Sequence, residues 1–120
     1  EFELRRKRGG HLFSKHRYLS AQMAAYLRDD LWLDLARQAN AKAARLYQGM
    51  KDVAEVEIVN DLAANMIFFN APTALHDRLR DAGAVYGTSG SGETLRGRLV
   101  CDWSIPEAEI DRFLSHLASA

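Results

Sequence analysis

From Leu19 onward, apolar residues recur at helical spacing. Leu19, Met23, Tyr26 and Leu27 share one face and predict a helix. The pair Asp29-Asp30 interrupts the stripe, and Asp30 reads as the N-cap of a second helix. Trp32, Leu35, Ala36, Ala39, Ala43, Leu46, Tyr47 and Met50 then trace an apolar face over about five turns, with Gly49 near its C-terminal end. Beyond residue 53 the period changes. In AEVEIV (54–59), Ala54, Val56 and Ile58 alternate with Glu55 and Glu57, the pattern of a half-buried strand. NMIFFNA (65–71) is apolar on both faces and predicts a central strand, joined to its predecessor as a hairpin through NDLAA.

Pro72-Thr73 opens a short helix carrying Leu75 and Leu79, closed by Gly83. AVYG (84–87) reads as a short strand and TSGSGET (88–94) as a flexible loop. LRGRLVCDW (95–103) alternates again: Leu95, Leu99, Cys101 and Trp103 point one way, Arg96, Arg98, Val100 and Asp102 the other. SIPE reads as a capping box, with Ser104 as N-cap and Glu107 at N3. The last helix buries Ile110, Phe113, Leu114 and Leu117. The expected order is α-α-β-β-α-β-β-α. Such an order implies an α+β domain: two N-terminal helices, then a small, largely antiparallel sheet with helices on one face.

Charge alters this picture at one end. Net charge is zero, yet the first seventeen residues hold six Lys/Arg against two Glu. The run RRKRGGHLFSKHR (5–17) contains no acid at all. Such a segment suits a polyanion or an anion-binding cleft. The chain's 120 residues suffice for one domain with a modest core. A single cysteine, Cys101, allows no internal disulfide and fits a reducing, cytoplasmic setting. No apolar run approaches the roughly 20 residues of a membrane span. The chain opens on Glu1 without Met, which points to a fragment of a longer polypeptide.

Few residues offer chemistry. His11 and His16 lie five apart, His76 and His116 stand alone, and no zinc-type spacing occurs. Cys101 falls on the apolar side of its strand and reads as a small buried hydrophobe. GTSGSG lacks the lysine and following helix of a phosphate loop, so it reads as a connection between strands. The arginines remain. Arg98 lies on the strand face opposite Leu99, with Arg96 about 7 Å away on that same face. An outward strand arginine is either a solvated charge or a rigidly mounted fork for a carboxylate, and spacing alone leaves both readings open.

RRKRGGHLFSKHRYLSAQMAAYL (5–27) resembles the segment that follows the cofactor lysine in low-specificity L-threonine aldolases, fold-type-I pyridoxal-phosphate enzymes. GRLVCDWSIPEAEIDRFL (97–114) resembles their C-terminal strand–helix signature, and DDLWLDLARQANAKAARL and NMIFFNAPTALHDRLRDAG fit the same template. The resemblance implies that residues 1–120 are a single C-terminal small domain: a basic interfacial segment at 1–17, helices at 18–50 and an α+β sandwich at 51–120. The large domain with the Schiff-base lysine would lie upstream, so the chain alone would be inactive. The intact enzyme would use pyridoxal phosphate to cleave threonine-like β-hydroxy-α-amino acids to glycine and an aldehyde.

Carried over residue by residue, the resemblance makes Arg98 the anchor of the substrate α-carboxylate. It makes Lys7 a basic position near the cofactor at a subunit interface, and it implies a homo-oligomer. Where many relatives have Gly-Gly-Gly-Met-Arg-Gln, this chain has GGHLFSK, with Ser14 near the place of that arginine and Lys15 and Arg17 nearby. Two other readings stand beside this one. The small domain could serve another fold-type-I reaction, a β-elimination or a transamination. Alternatively the basic arm, with Phe13 and Tyr18 as its aromatics, could bind nucleic acid. The acidic balance of the remaining chain opposes the latter.

Overall fold

In the computed structural model, which describes residues 1–11 and 14–119, the basic run begins as a helix. Helix α1 spans Phe2–Arg8, with Arg5, Arg6, Lys7 and Arg8 in its last turn, where cations favour the helix dipole. The Glu1 carboxylate also pairs with Arg5 at 2.6 Å, one turn on. This helix is an addition to the order read from periodicity. Phe13 lies outside the described residues.

Helix α2 (His16–Leu27) follows, then a 3-10 turn over Arg28–Asp30, then α3 (Leu31–Lys51). The break falls at the aspartates, as their sequence implies, but not as a simple N-cap: Asp29 and Asp30 both adopt left-handed backbone, at φ 51° and 59°. Glu1–Asp34 form one compact unit and Leu35–Ala120 a second. In the first unit neither α1 nor α2 buries a residue, and the stripe of Leu19, Met23, Tyr26 and Leu27 stands exposed.

The second unit contains the core. Its sheet comprises β1 (Glu57–Ile58), β2 (Met66–Pro72), β3 (Gly87–Ser89) and β4 (Thr94–Val100), in the order β1-β2-β4-β3 with every pairing antiparallel. Helices α4 (Thr73–Asp81) and α5 (Glu107–Ala118) complete it. Ala43, Leu46, Tyr47 and Met50 of α3, Ile67, Phe69 and Ala71 of β2, and Leu75 and Leu79 of α4 share one cluster with Leu99, Cys101, Ile110 and Leu117. β2 is central, as its two-sided apolar pattern predicts, and it forms the expected hairpin with β1. Gly49 lies near the C-terminal end of α3, as read from the sequence, and a Cβ there would meet the Leu114 side chain at 2.5 Å. Its role is the close approach of α3 and α5. Across the same helix pair, Arg45 grips both oxygens of Asp111 at 2.7 and 2.9 Å.

Four local readings are corrected, each by a backbone group with another partner. The strand at 54–59 shrinks to Glu57–Ile58, because the Val53 and Val56 N–H groups close turns onto Met50 and Val53. The strand at 84–87 begins only at Gly87. Gly83, at φ 95°, and Ala84 donate back to Arg80 and Leu79 and finish α4 as a Schellman cap, so the chain is not free to pair until later. Part of the expected loop, Thr88-Ser89, is instead paired with β4. The capping box at Ser104 does not form, since α5 starts at Glu107 after Pro106. The Asp102 carboxylate takes the N–H groups of Ser104 and Ile105 at 2.7 and 2.8 Å, and Glu107 faces Arg45 at 3.5 Å. That turn also carries Trp103 out of the β4 alternation, leaving it 53% exposed rather than packed beneath the strand.

Candidate functional site

The helices cover one face of the sheet. The other face presents Met66, Phe68 and Asn70 of β2 beside Arg96, Arg98 and Val100 of β4. Strict alternation along β4 puts Gly97 and Leu99 into the core and both arginines outward. The register then distinguishes them. Arg96 lies opposite Asn70, and Asn70 opposite Glu57 of β1. Arg96 Nε donates to Asn70 Oδ1 at 3.3 Å, and Asn70 Nδ2 donates to Glu57 Oε2 at 3.0 Å. A polar chain across three strands therefore commits Arg96.

Arg98 sits between Phe68 and Gly87. Among the described residues its guanidinium makes no hydrogen bond or ion pair. The nearest guanidinium atoms lie 3.8 and 3.9 Å from where a Gly87 Cβ would stand, so the absence of a side chain at 87 leaves room for the fork. An exposed guanidinium on a paired strand, with its donors unengaged, can take a carboxylate through two parallel hydrogen bonds. It is the outward residue singled out from the sequence, and the structure also separates it from its neighbour.

Beneath β4 lies a polar group that periodicity alone did not mark. His76, on α4, is fully buried. Its Nε2 lies 3.1 Å from the Leu95 carbonyl and its Nδ1 2.8 Å from the Tyr86 hydroxyl. A carbonyl only accepts, so Nε2 carries the proton and Nδ1 accepts from Tyr86. Burial pushes the Tyr86 hydroxyl up to about 12, with Asp77 adding to the rise and Arg80 opposing it. The signal that could have revealed this group is His76's place beside Leu75 and Leu79 on the buried face of a short helix, followed by an aromatic at 86.

The other candidates resolve simply. Cys101 is buried; desolvation chiefly, then Asp102, raises its thiol above the ordinary range, and Lys42 opposes this. It is a core residue, as the alternation read from the sequence implies, although β4 ends one residue before it. His11 and His16 are exposed in the first unit. Among the described residues no three His, Cys, Asp or Glu side chains gather as metal ligands. Lys7 lies exposed near the end of α1 in the first unit, and Arg98 belongs to the second. In that second unit Lys42 donates to the Trp103 carbonyl at 2.6 Å and Lys51 lies over the Tyr47 ring at 4.6 Å. Neither occupies the open sheet face. The open sheet face of the second unit thus presents a guanidinium and, among the described residues, no lysine. Among the described residues no helix is long and apolar enough to cross a membrane.

No family model matches the chain. It is 34% identical over 111 residues to the low specificity L-threonine aldolase of a Pseudomonas species, an alignment covering 92% of this chain and 31% of that protein. The protein of the same name from Pseudomonas aeruginosa is 33% identical over 113 residues, with 93% and 31% coverage. The chain therefore spans about a third of the length of these relatives. Among solved structures, the threonine aldolase of Leishmania major superimposes with a TM-score of 0.81 at 24% identity, over 93% of this chain and 33% of that one. The cystine C–S lyase C-DES superimposes with a TM-score of 0.59 at 18% identity, over 72% and 24%. These structural likenesses concern the fold alone, an α+β arrangement built on a four-stranded antiparallel sheet.

Proposed function

We propose that this chain, 33–34% identical to low specificity L-threonine aldolases over about a third of their length, is the C-terminal small domain of such a lyase and supplies the anchor for the substrate α-carboxylate. The parent cleaves threonine-like β-hydroxy-α-amino acids to glycine and an aldehyde. Pyridoxal phosphate, bound through a lysine elsewhere in the parent, would supply the electron sink for this chemistry. The part of this chain is binding and orientation. Lys7, on its exposed basic helix, contributes positive charge near the cofactor phosphate. The exposed α2 stripe of Leu19, Met23, Tyr26 and Leu27 meets the rest of the parent or a second subunit.

One observation carries this reading: of two outward arginines on β4, Arg96 is bound to Asn70, and Arg98 has no hydrogen-bond or ion-pair partner among the described residues. The α-carboxylate of an amino acid is the ligand its fork suits. The test is Arg98→Lys in the full-length enzyme, which keeps the charge and loses the bidentate geometry. The expected loss in kcat/KM is about 2–4 kcal/mol, thirty- to a thousandfold, with folding unchanged because the arginine lies outside the core. Arg96→Lys should cost much less. Near-normal kcat/KM for threonine in Arg98→Lys would move the anchor elsewhere.

A further inference from the structure

The reading of Arg98 as an anchor requires that its strand be held in place, and the buried side of β4 shows what holds it. Gly97, between the two arginines, presses directly on the core. A Cβ there would lie 2.3 and 2.5 Å from two atoms of the Phe69 ring and 3.1 Å from Cε1 of His76. The strand rests on these two rings at the residue next to Arg98. His76 additionally ties down the Leu95 carbonyl through Nε2. Phe69, His76 and Tyr86 are mutually packed, with ring centroids 5.3, 5.8 and 6.1 Å apart.

An apolar side chain would serve better if packing were the whole purpose, because burying an imidazole is costly unless both nitrogens are satisfied. Here both are. The Leu95 carbonyl, which can only accept, selects the tautomer whose Nε2–H points at the strand, and the Tyr86 hydroxyl donates to the Nδ1 left as acceptor. Tyr86 therefore satisfies the buried imidazole on the side away from the strand and holds its ring in the orientation that reaches Leu95. It is supported from α5 by Phe113, whose ring meets it edge-on at 6.1 Å.

We propose that His76, with its ring held by Tyr86 at Nδ1, is a positioning residue that fixes the segment Leu95–Arg98 and thereby the guanidinium of Arg98. This deepens the carboxylate-anchor reading and rests on it. The imidazole touches no substrate and acts only through the strand.

The test is a set of double-mutant cycles in the full-length enzyme, with steady-state kinetics on threonine. His76→Asn can reach toward Tyr86 but not to the Leu95 carbonyl, and should lower kcat/KM roughly ten- to a hundredfold, the scale of a small misplacement of a binding group. His76→Gln, whose amide nitrogen can stand in for Nε2, should recover most of that loss. In the Arg98→Lys background the effect of His76→Asn should nearly vanish, because the residue it positions is gone. Tyr86→Phe keeps the aromatic ring, leaves Nδ1 without its donor, and should show the same dependence on Arg98 with a smaller loss. Nitrogen-15 shifts of the His76 ring should place the proton on Nε2 in the wild type, where the Leu95 carbonyl requires it. Equal losses from Tyr86→Phe with and without Arg98 would overturn the proposal, as would a proton on Nδ1 in the wild type. Unimpaired kinetics in Arg98→Lys alone would instead overturn the anchor reading itself, so the two failures are distinguishable.

Discussion

Replacing Gly97 by Ala adds one methyl group to the strand that carries both arginines, and the two energetic terms it introduces have opposite signs. Gly97 lies within β4 and is not among the residues with positive φ, so its backbone conformation is open to alanine. By propensity alone, removing a glycine from a strand interior should stabilise by about 0.5–1 kcal/mol. Against this stands the new Cβ at 2.3 and 2.5 Å from the Phe69 ring and 3.1 Å from His76, where comfortable carbon contacts are roughly 3.5–4.0 Å. The ring must move by about 1 Å. Phe69 has no free side on which to yield: it is fully buried, between His76 and Tyr86. Overpacking of this kind costs about 1–3 kcal/mol and wins. The net expectation is a destabilisation of roughly 1–2 kcal/mol, a fall in Tm of about 4–15 °C for a unit of this size. Urea and thermal unfolding of the wild type and Gly97→Ala measure it directly. In a Phe69→Leu background, where the ring is absent, the same substitution should cost little. An unchanged or raised midpoint for Gly97→Ala would show that β4 does not rest on the ring, and the positioning argument for Arg98 would lose its footing.

Two pH predictions follow from the same unit. The Asp102 carboxyl is held below the usual carboxylate range by the Ser104 hydroxyl first, then by the backbone N–H groups of Ser104 and Ile105. A depressed acid stabilises the fold fully above the unfolded value of about 3.9, and this contribution is lost as pH falls through the lower folded value. Unfolding midpoints followed from about pH 5 to about pH 2 should drop less steeply in Asp102→Asn; parallel curves would refute the assignment. Tyr86 has the opposite sign: its folded value, about 12, lies above the ordinary 10, so its contribution is complete below pH 10 and fades as pH rises through 12. Tyr86→Phe should remove that alkaline slope, and an unaltered slope would mean that another group sets it.

Alternation was enough to orient the outward arginines and to mark NMIFFNA as central, because side-chain direction along a strand is a local property. It failed wherever a side chain or cap competed for the same backbone. Asp102 outcompeted Ser104 at the start of α5, and the Gly83–Ala84 cap absorbed the N–H groups that the strand reading needed. Both competitors are short-range and visible as residues, but which of two nearby polar groups takes an N–H depends on chain direction that the pattern does not encode. His76 was missed for a different reason. Its partners lie ten and nineteen positions away, and they meet only once α4 has folded back beneath β4.

The same reasoning explains why the two arginines look alike in sequence and differ in the fold. Arg96 and Arg98 share a strand, a face and a charge, so no periodic argument can rank them. Strand order ranks them, because β4 is inserted between β2 and β3. That insertion sets Arg96 against Asn70, and through Asn70 against the Glu57 carboxylate, whereas two residues along it sets Arg98 against Phe68 and Gly87. One arginine meets an acceptor and the other meets an aromatic ring and a missing side chain. A charge whose neighbours on the sheet cannot accept its hydrogen bonds stays available for a ligand that can. The difference in hydrogen bonding therefore arises at the level of topology and register: it would disappear if β4 paired one pleat repeat away, which would bring Arg98 opposite Asn70 and take Arg96 away from it.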